Sequence, residues 1–170
     1  ITREWIRIEG GDGTTPEAVQ ALKDAVNDRY HLKDLIHQAA STVGFMGGAF
    51  IFIDTGAEGA DLELPLRISS LSAEMSQNMD LSFVLVDPVN VTPGDYNSGN
   101  PLRADYMTPK WWWVLGQKVH ASRLVPVFDN PPPVLLRPSY NFLGIPQAQI
   151  LWDYVLHWNE CRIYTANLLK

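Results

Sequence analysis

The chain has 170 residues, 46% of them hydrophobic, which suits one domain with a proper core and excludes wholesale disorder. Its net charge is −6, and its 13 Lys and Arg are scattered, which argues against a nucleic-acid module gripping phosphates and against a polybasic membrane patch. No apolar stretch reaches transmembrane length, no secretory signal is visible, and the single cysteine, Cys161, allows neither an internal disulfide nor a Cys-based zinc site, so a cytoplasmic environment is the natural reading.

In chain order, Trp5-Ile6-Arg7-Ile8 alternates and predicts a short half-buried strand. Gly10 to Gly13 is a loop. Thr14-Thr15-Pro16-Glu17 opens a helix: either threonine can cap it, Pro16 suits the first turn, and Glu17 favours its positive end. Val19, Leu22 and Val26 form one stripe. After a break near residues 27–31, Leu32, Leu35, Ile36, Ala39, Ala40 and Val43 form a second at helical spacing. Gly47 and Gly48 end that pattern at a tight corner that needs positive φ or close backbone approach. The run Ala49 to Ile53, closed by Asp54-Thr55-Gly56, predicts a central strand buried on both faces.

Residues 55–80 are polar apart from Leu62 to Leu66 and predict a long, partly mobile excursion. Leu81 to Val86 is the next strand, closed by Asp87-Pro88. Residues 92–101 have loop composition. Trp111 to Leu115 is a strand, Gly116-Gln117 a two-residue hairpin turn, and Lys118 to Phe128 the partner strand. Pro131-Pro132-Pro133 and Pro138 predict an extended connector. Gly144-Ile145-Pro146 then opens a helix that runs to Leu169, with Ile150, Leu151, Tyr154, Val155 and Trp158 on one face. The fold class expected is α+β, a mixed or antiparallel sheet with packed helices. The start at Ile1-Thr2 and the end at Lys170 inside a helical pattern read as a piece of a longer chain.

The chemistry-bearing residues are sparse. His120-Ala121-Ser122 fits one H-x-[ST] unit of the 2H phosphodiesterases, which need two such units because one imidazole is the base and the other the acid. The remaining histidines, His31, His37 and His157, supply no second unit. The alternative is a strand whose alternation separates His120, Ser122 and Leu124 from Val119, Ala121 and Arg123. Asp54, Asp61, Glu63, Asp87 and Asp95 match no metal-loop spacing, and Gly47-Gly48 follows a helix instead of preceding one as a phosphate loop does. No catalytic, cofactor or metal residue is therefore expected. Trp111-Trp112-Trp113 alternates faces, so these rings either fill this domain or leave a contact for a neighbouring chain.

Taken in order, Thr2 to Ile6, Gly47 to Ile53, Leu85 to Pro88, Val119 to Leu124 and Gly144 to Pro146 resemble a phage portal-like family once catalogued, in prophages, as a domain of unknown function. Gly47, Gly48, Asp87, His120, Ser122, Arg123 and Gly144 carry that resemblance. The chain departs from the family's pattern at the last helix entry, where Phe142-Leu143-Gly144 and Gln147 stand in place of a Trp-Gly and a Ser. The resemblance implies a wing-like region of a head–tail connector, with stem and clip elsewhere. It also implies a self-assembled ring, expected to be a dodecamer, in contact with terminase, capsid and tail-connector proteins. Duplex DNA would pass through the ring without being gripped by these residues, and no membrane is involved. The expected setting is the virion, and the bacterial host cytoplasm during assembly. Some family members are fused to an anti-CBASS 2H phosphodiesterase acting on cyclic nucleotides, so an accessory domain of that enzyme is the alternative.

Overall fold

The computed structural model describes residues 15–66 and 81–169. The readings made on Thr2 to Thr14 and on residues 67–80 lie outside the described residues. Helix α1, Pro16–Asp24, starts where the Thr15 hydroxyl accepts the Ala18 N–H at 3.4 Å. A π-helical turn over Ala25–Arg29 and a left-handed His31 (φ 47°) break the path before α2, Leu32–Met46. Strand β1, Gly48–Asp54, follows at once.

A 3₁₀ turn covers Gly59–Glu63, then β2 runs Ser82–Val86. A 3₁₀ turn at Pro88–Asn90 leads into the short β3, Val91–Pro93. Strands β4, Trp111–Val114, and β5, Gln117–His120, form a hairpin. A 3₁₀ step, Ala121–Arg123, separates β5 from β6, Leu124–Phe128. Helix α3 spans Gln147–Leu168.

The class is α+β. The strands form two antiparallel three-stranded sheets, ordered β2-β1-β6 and β3-β4-β5. β1 is central in the first, with Ile51 opposite both Leu85 and Val125. β4 is central in the second, with Trp112 opposite Val119. The core lies between them: Phe50, Leu62, Val91, Trp112, Val119, Leu124 and Leu143 form one buried cluster. β1 is fully buried only over Gly48, Ala49 and Phe50, and its second half is half-buried.

The largest departure from the sequence reading is at residues 118–128. One long partner strand was expected, but the chain leaves the second sheet after His120 and enters the first at Leu124. Alternation stops at that step, so Arg123 and Leu124 are both buried although adjacent. The hairpin turn is Leu115-Gly116, one residue earlier than expected. Both residues have positive φ, 49° and 88°, the type I′ geometry that matches strand twist. Residues 134–140 coil into a 3₁₀ turn where an extended connector was expected. The excursion after Thr55 is pinned by Leu62, which enters the core. The stripes of α1 and α3 stay at the surface: neither helix has a buried residue, and α2 buries only Ala39.

Candidate functional site

The polar cluster at the step between the sheets holds three of the residues singled out by sequence. The His120 ring caps the 3₁₀ turn: Nδ1 accepts the Ser122 N–H at 3.1 Å and lies 2.8 Å from Ser122 Oγ. Ser122 Oγ also accepts the Leu66 N–H at 2.8 Å, which leaves its hydroxyl proton for the imidazole. Nδ1 is therefore an acceptor, and the neutral ring carries its proton on Nε2. Burial, and secondarily the charge of Arg123, holds the His120 pKa below its ordinary value. Trp111 meets the ring edge to face at 5.2 Å, and Lys118 Nζ sits 4.4 Å from the Trp111 centroid while pairing with Glu63 at 2.9 Å.

This arrangement holds the turn: the imidazole caps it and the hydroxyl ties it to Leu66. The Ser122 hydroxyl is bonded to the imidazole on one side and to the Leu66 N–H on the other. His31 precedes α2 without a side-chain cap bond, while His37 and His157 sit in α2 and α3; the ring contact of His120 among the described residues is with Trp111. Among the described residues, no three His, Cys, Asp or Glu side chains gather as metal ligands. Asp54 Oδ1 accepts the Gly56 N–H at 2.9 Å, and Glu63 is paired with Lys118.

Arg123 is the buried polar side chain of the core, only 6% exposed. Its guanidinium donates to the Leu64 carbonyl at 3.2 Å, the Thr55 hydroxyl at 3.0 Å and the Asp61 carbonyl at 3.2 Å. One side chain thus ties both ends of the 55–64 stretch to the step between the sheets, and its planar fork suits three separate acceptors.

The glycines form a second junction. Gly47 takes the positive φ, 82°, and caps α2 through a 2.9 Å bond from its N–H to the Val43 carbonyl. The Gly144 N–H donates to the Gly47 carbonyl at 3.0 Å. A Cβ on Gly47 would collide with the Gly144 carbonyl, and one on Gly144 with the Asp129 carbonyl. Gly48 needs space and not positive φ: its Cβ would meet Leu143 side-chain atoms at 2.8–3.0 Å. The two requirements expected at this corner fall on two different residues.

Asp87 is exposed, and its carbonyl accepts the Asn90 N–H at 3.0 Å to shape the turn into β3. Sequence reasoning missed Asn141, left-handed at φ 54°, whose amide donates to Pro88 and Val91 carbonyls at 3.2 and 2.7 Å. Its signal was an asparagine closing a proline-containing turn, a position that tolerates positive φ. The tryptophan triplet divides: Trp112 is 4% exposed in the core and unavailable to a neighbour, Trp113 is 43% exposed, and Trp111 is half-buried against His120 and Lys118.

No helix among the described residues is long and apolar enough to cross a membrane. Comparison with curated proteins finds no match. The family described as "Phage portal protein" matches residues 1–170. That family is structural, associated with the virion, and assembles as oligomers with other capsid components. The match over all 170 residues leads to one conclusion: the chain belongs to the phage portal protein family.

Proposed function

We infer that the chain is a structural subunit of the portal ring of a phage or prophage, the head–tail connector through which DNA is packaged and ejected. The observation that carries this reading is the family match across residues 1–170. In it these residues are the wing, with stem and clip in other parts of the protein. The self-assembled ring, a dodecamer, meets terminase, capsid and tail-connector proteins. It acts in the virion and assembles in the host cytoplasm. DNA passes through the channel without being held by these residues, which the net charge of −6 supports. Gly47, Gly48 and Gly144 join helix to sheet, Asp87, His120, Ser122 and Arg123 fix the turns, and Trp113 is the member of the tryptophan triplet most open to a neighbour.

Electron microscopy of the protein at its natural length tests this reading. Rings with an axial channel are expected; a monomer at every concentration overturns it. The reading as an accessory domain of a cyclic-nucleotide phosphodiesterase lacks a second His-x-Ser/Thr unit in this sequence to pair with His120. Cyclic-nucleotide cleavage that disappears in His120→Ala would revive it.

A further inference from the structure

Helix α3 is apolar well beyond what its contacts use. Gln149 on its first turn donates to the Tyr140 hydroxyl at 3.3 Å, so that side of the helix faces its own domain. The opposite side carries Leu151, Tyr154, Val155 and Trp158 at helical spacing, with Tyr154 72% and Trp158 59% exposed. Arg162 extends the stripe, its guanidinium 4.7 Å from the Trp158 ring centroid. These four apolar side chains expose on the order of 400 Å² together, at about 100 Å² for each half-exposed large side chain. A patch of that size is comparable to the largest on an ordinary monomer, which is often functional.

The same chain carries a cleft of the matching kind. It is a cavity of about 550 Å³ between the two sheets and under the 56–62 stretch. Phe52, Leu62, Val86 and Val114 make its apolar walls, and Asp54 and Glu58 its acidic rim. Among the described residues neither carboxylate has an ion-pair partner, and neither has Arg162. The stripe is apolar with one cation at its end; the cleft is apolar with two anions at its edge.

We propose that the outward stripe of α3 docks into the acid-rimmed cleft of a second copy of this chain, with Trp158 against the apolar walls and Arg162 at Asp54 and Glu58. The two patches differ, so the contact is head to tail, the kind that closes into rings. It rests on the portal reading and names the surface through which neighbouring copies meet. About 400 Å² on the helix side is half of the ~800 Å² per partner of a standard interface, so this contact works together with others in the assembled protein.

Cys161, the only cysteine, is exposed next to this stripe and gives a direct test. Gln117→Cys places a second thiol at the cleft. Mild oxidation of this variant in the protein at its natural length is expected to give a ladder of linked copies, joined through residues 117 and 161 by peptide mass spectrometry. Arg162→Glu should cut the ladder at least fivefold, and Arg162→Glu combined with Glu58→Arg should restore it. Links between two Cys161 residues alone, or a ladder indifferent to Arg162→Glu, overturn the proposal. Rings seen by electron microscopy without a 117–161 link remove this contact and leave the portal reading standing; wild-type protein that forms no ring removes both.

Discussion

The ring of Phe50 meets that of Trp112 edge to face, with 4.8 Å between centroids. Phe50 is on β1 and Trp112 on β4, the central strands of the two sheets, so this pair joins the sheets at their middle. Both side chains are buried, and Trp112 also meets Phe142 at 6.1 Å. Aromatic edge-to-face pairs add about 0.5–1.5 kcal/mol beyond the area they bury.

Truncating either ring should therefore be among the costliest changes in the chain. Trp112→Ala and Phe50→Ala should each cost about 3–5 kcal/mol. Urea unfolding monitored by circular dichroism measures this. Trp113→Ala, on the same strand but half exposed, should stay within about 1 kcal/mol of the parent. The double variant should lose less than the sum of the singles, because each single already removes the shared contact.

The helix-to-strand corner makes a second pair of predictions. Gly48→Val should destabilise by roughly 1–3 kcal/mol, because its Cβ would press on Leu143 at 2.8 Å in a filled core. Gly47→Ala should cost at least as much, since it combines a positive φ of 82° with a clash against the Gly144 backbone. A melting temperature unchanged in either variant would contradict this account of the corner.

Leu115 invites a change in the other direction. It is 81% exposed and held at φ 49°, where a leucine is strained and its side chain packs against nothing that requires it. Leu115→Asn should stabilise by about 0.5–1 kcal/mol, because asparagine tolerates the left-handed region that this turn demands. Chemical denaturation of the two proteins in parallel decides it.

His120 gives the fold a pH dependence of known sign. Its folded-state pKa lies below the ordinary 6.5, so the unfolded chain binds a proton that the folded chain resists. Its contribution is complete above pH 6.5 and is lost as pH falls through the lower folded value. Protonation would also put a proton on Nδ1 and turn away the Ser122 N–H. Stability measured across about pH 5 to 8 should fall on acidification, and His120→Gln should flatten that slope. A slope equal in both proteins would exclude His120 as the titrating group.

The charge balance makes a prediction about DNA. With a net charge of −6 and scattered cations, little counterion release is available. Duplex binding by this chain at physiological salt should be weak, with little salt dependence. A fluorescence titration giving sub-micromolar, steeply salt-dependent affinity would contradict it.

Local signals in the sequence carried the α+β class well. The apolar runs that became β1, β2 and β4 were bounded by turn residues, and Thr15-Pro16 and Gly47 marked helix ends by their own backbone chemistry. Residues 118–128 misled for a tertiary reason: alternation looks the same whether a strand stays in its sheet or crosses to another. Arg123 is buried through acceptors at Thr55, Asp61 and Leu64, about sixty positions away, which no local pattern encodes. The turn was placed one residue late because leucine is a poor marker of positive φ. Helix α3 was read with one apolar face, but an apolar stripe does not say what covers it.

The step at Ala121–Arg123 also limits how this protein can deform. A 3₁₀ turn rises ~2 Å per residue against ~3.3 Å for extended chain, so this three-residue joint can lengthen only by uncoiling. Uncoiling it would pull Arg123 off its three acceptors. Load applied to β5 passes along the backbone straight into β6 and, through its ladder, into β1. Displacement of one sheet against the other is thus resisted at this joint by the three Arg123 bonds as well as by the backbone.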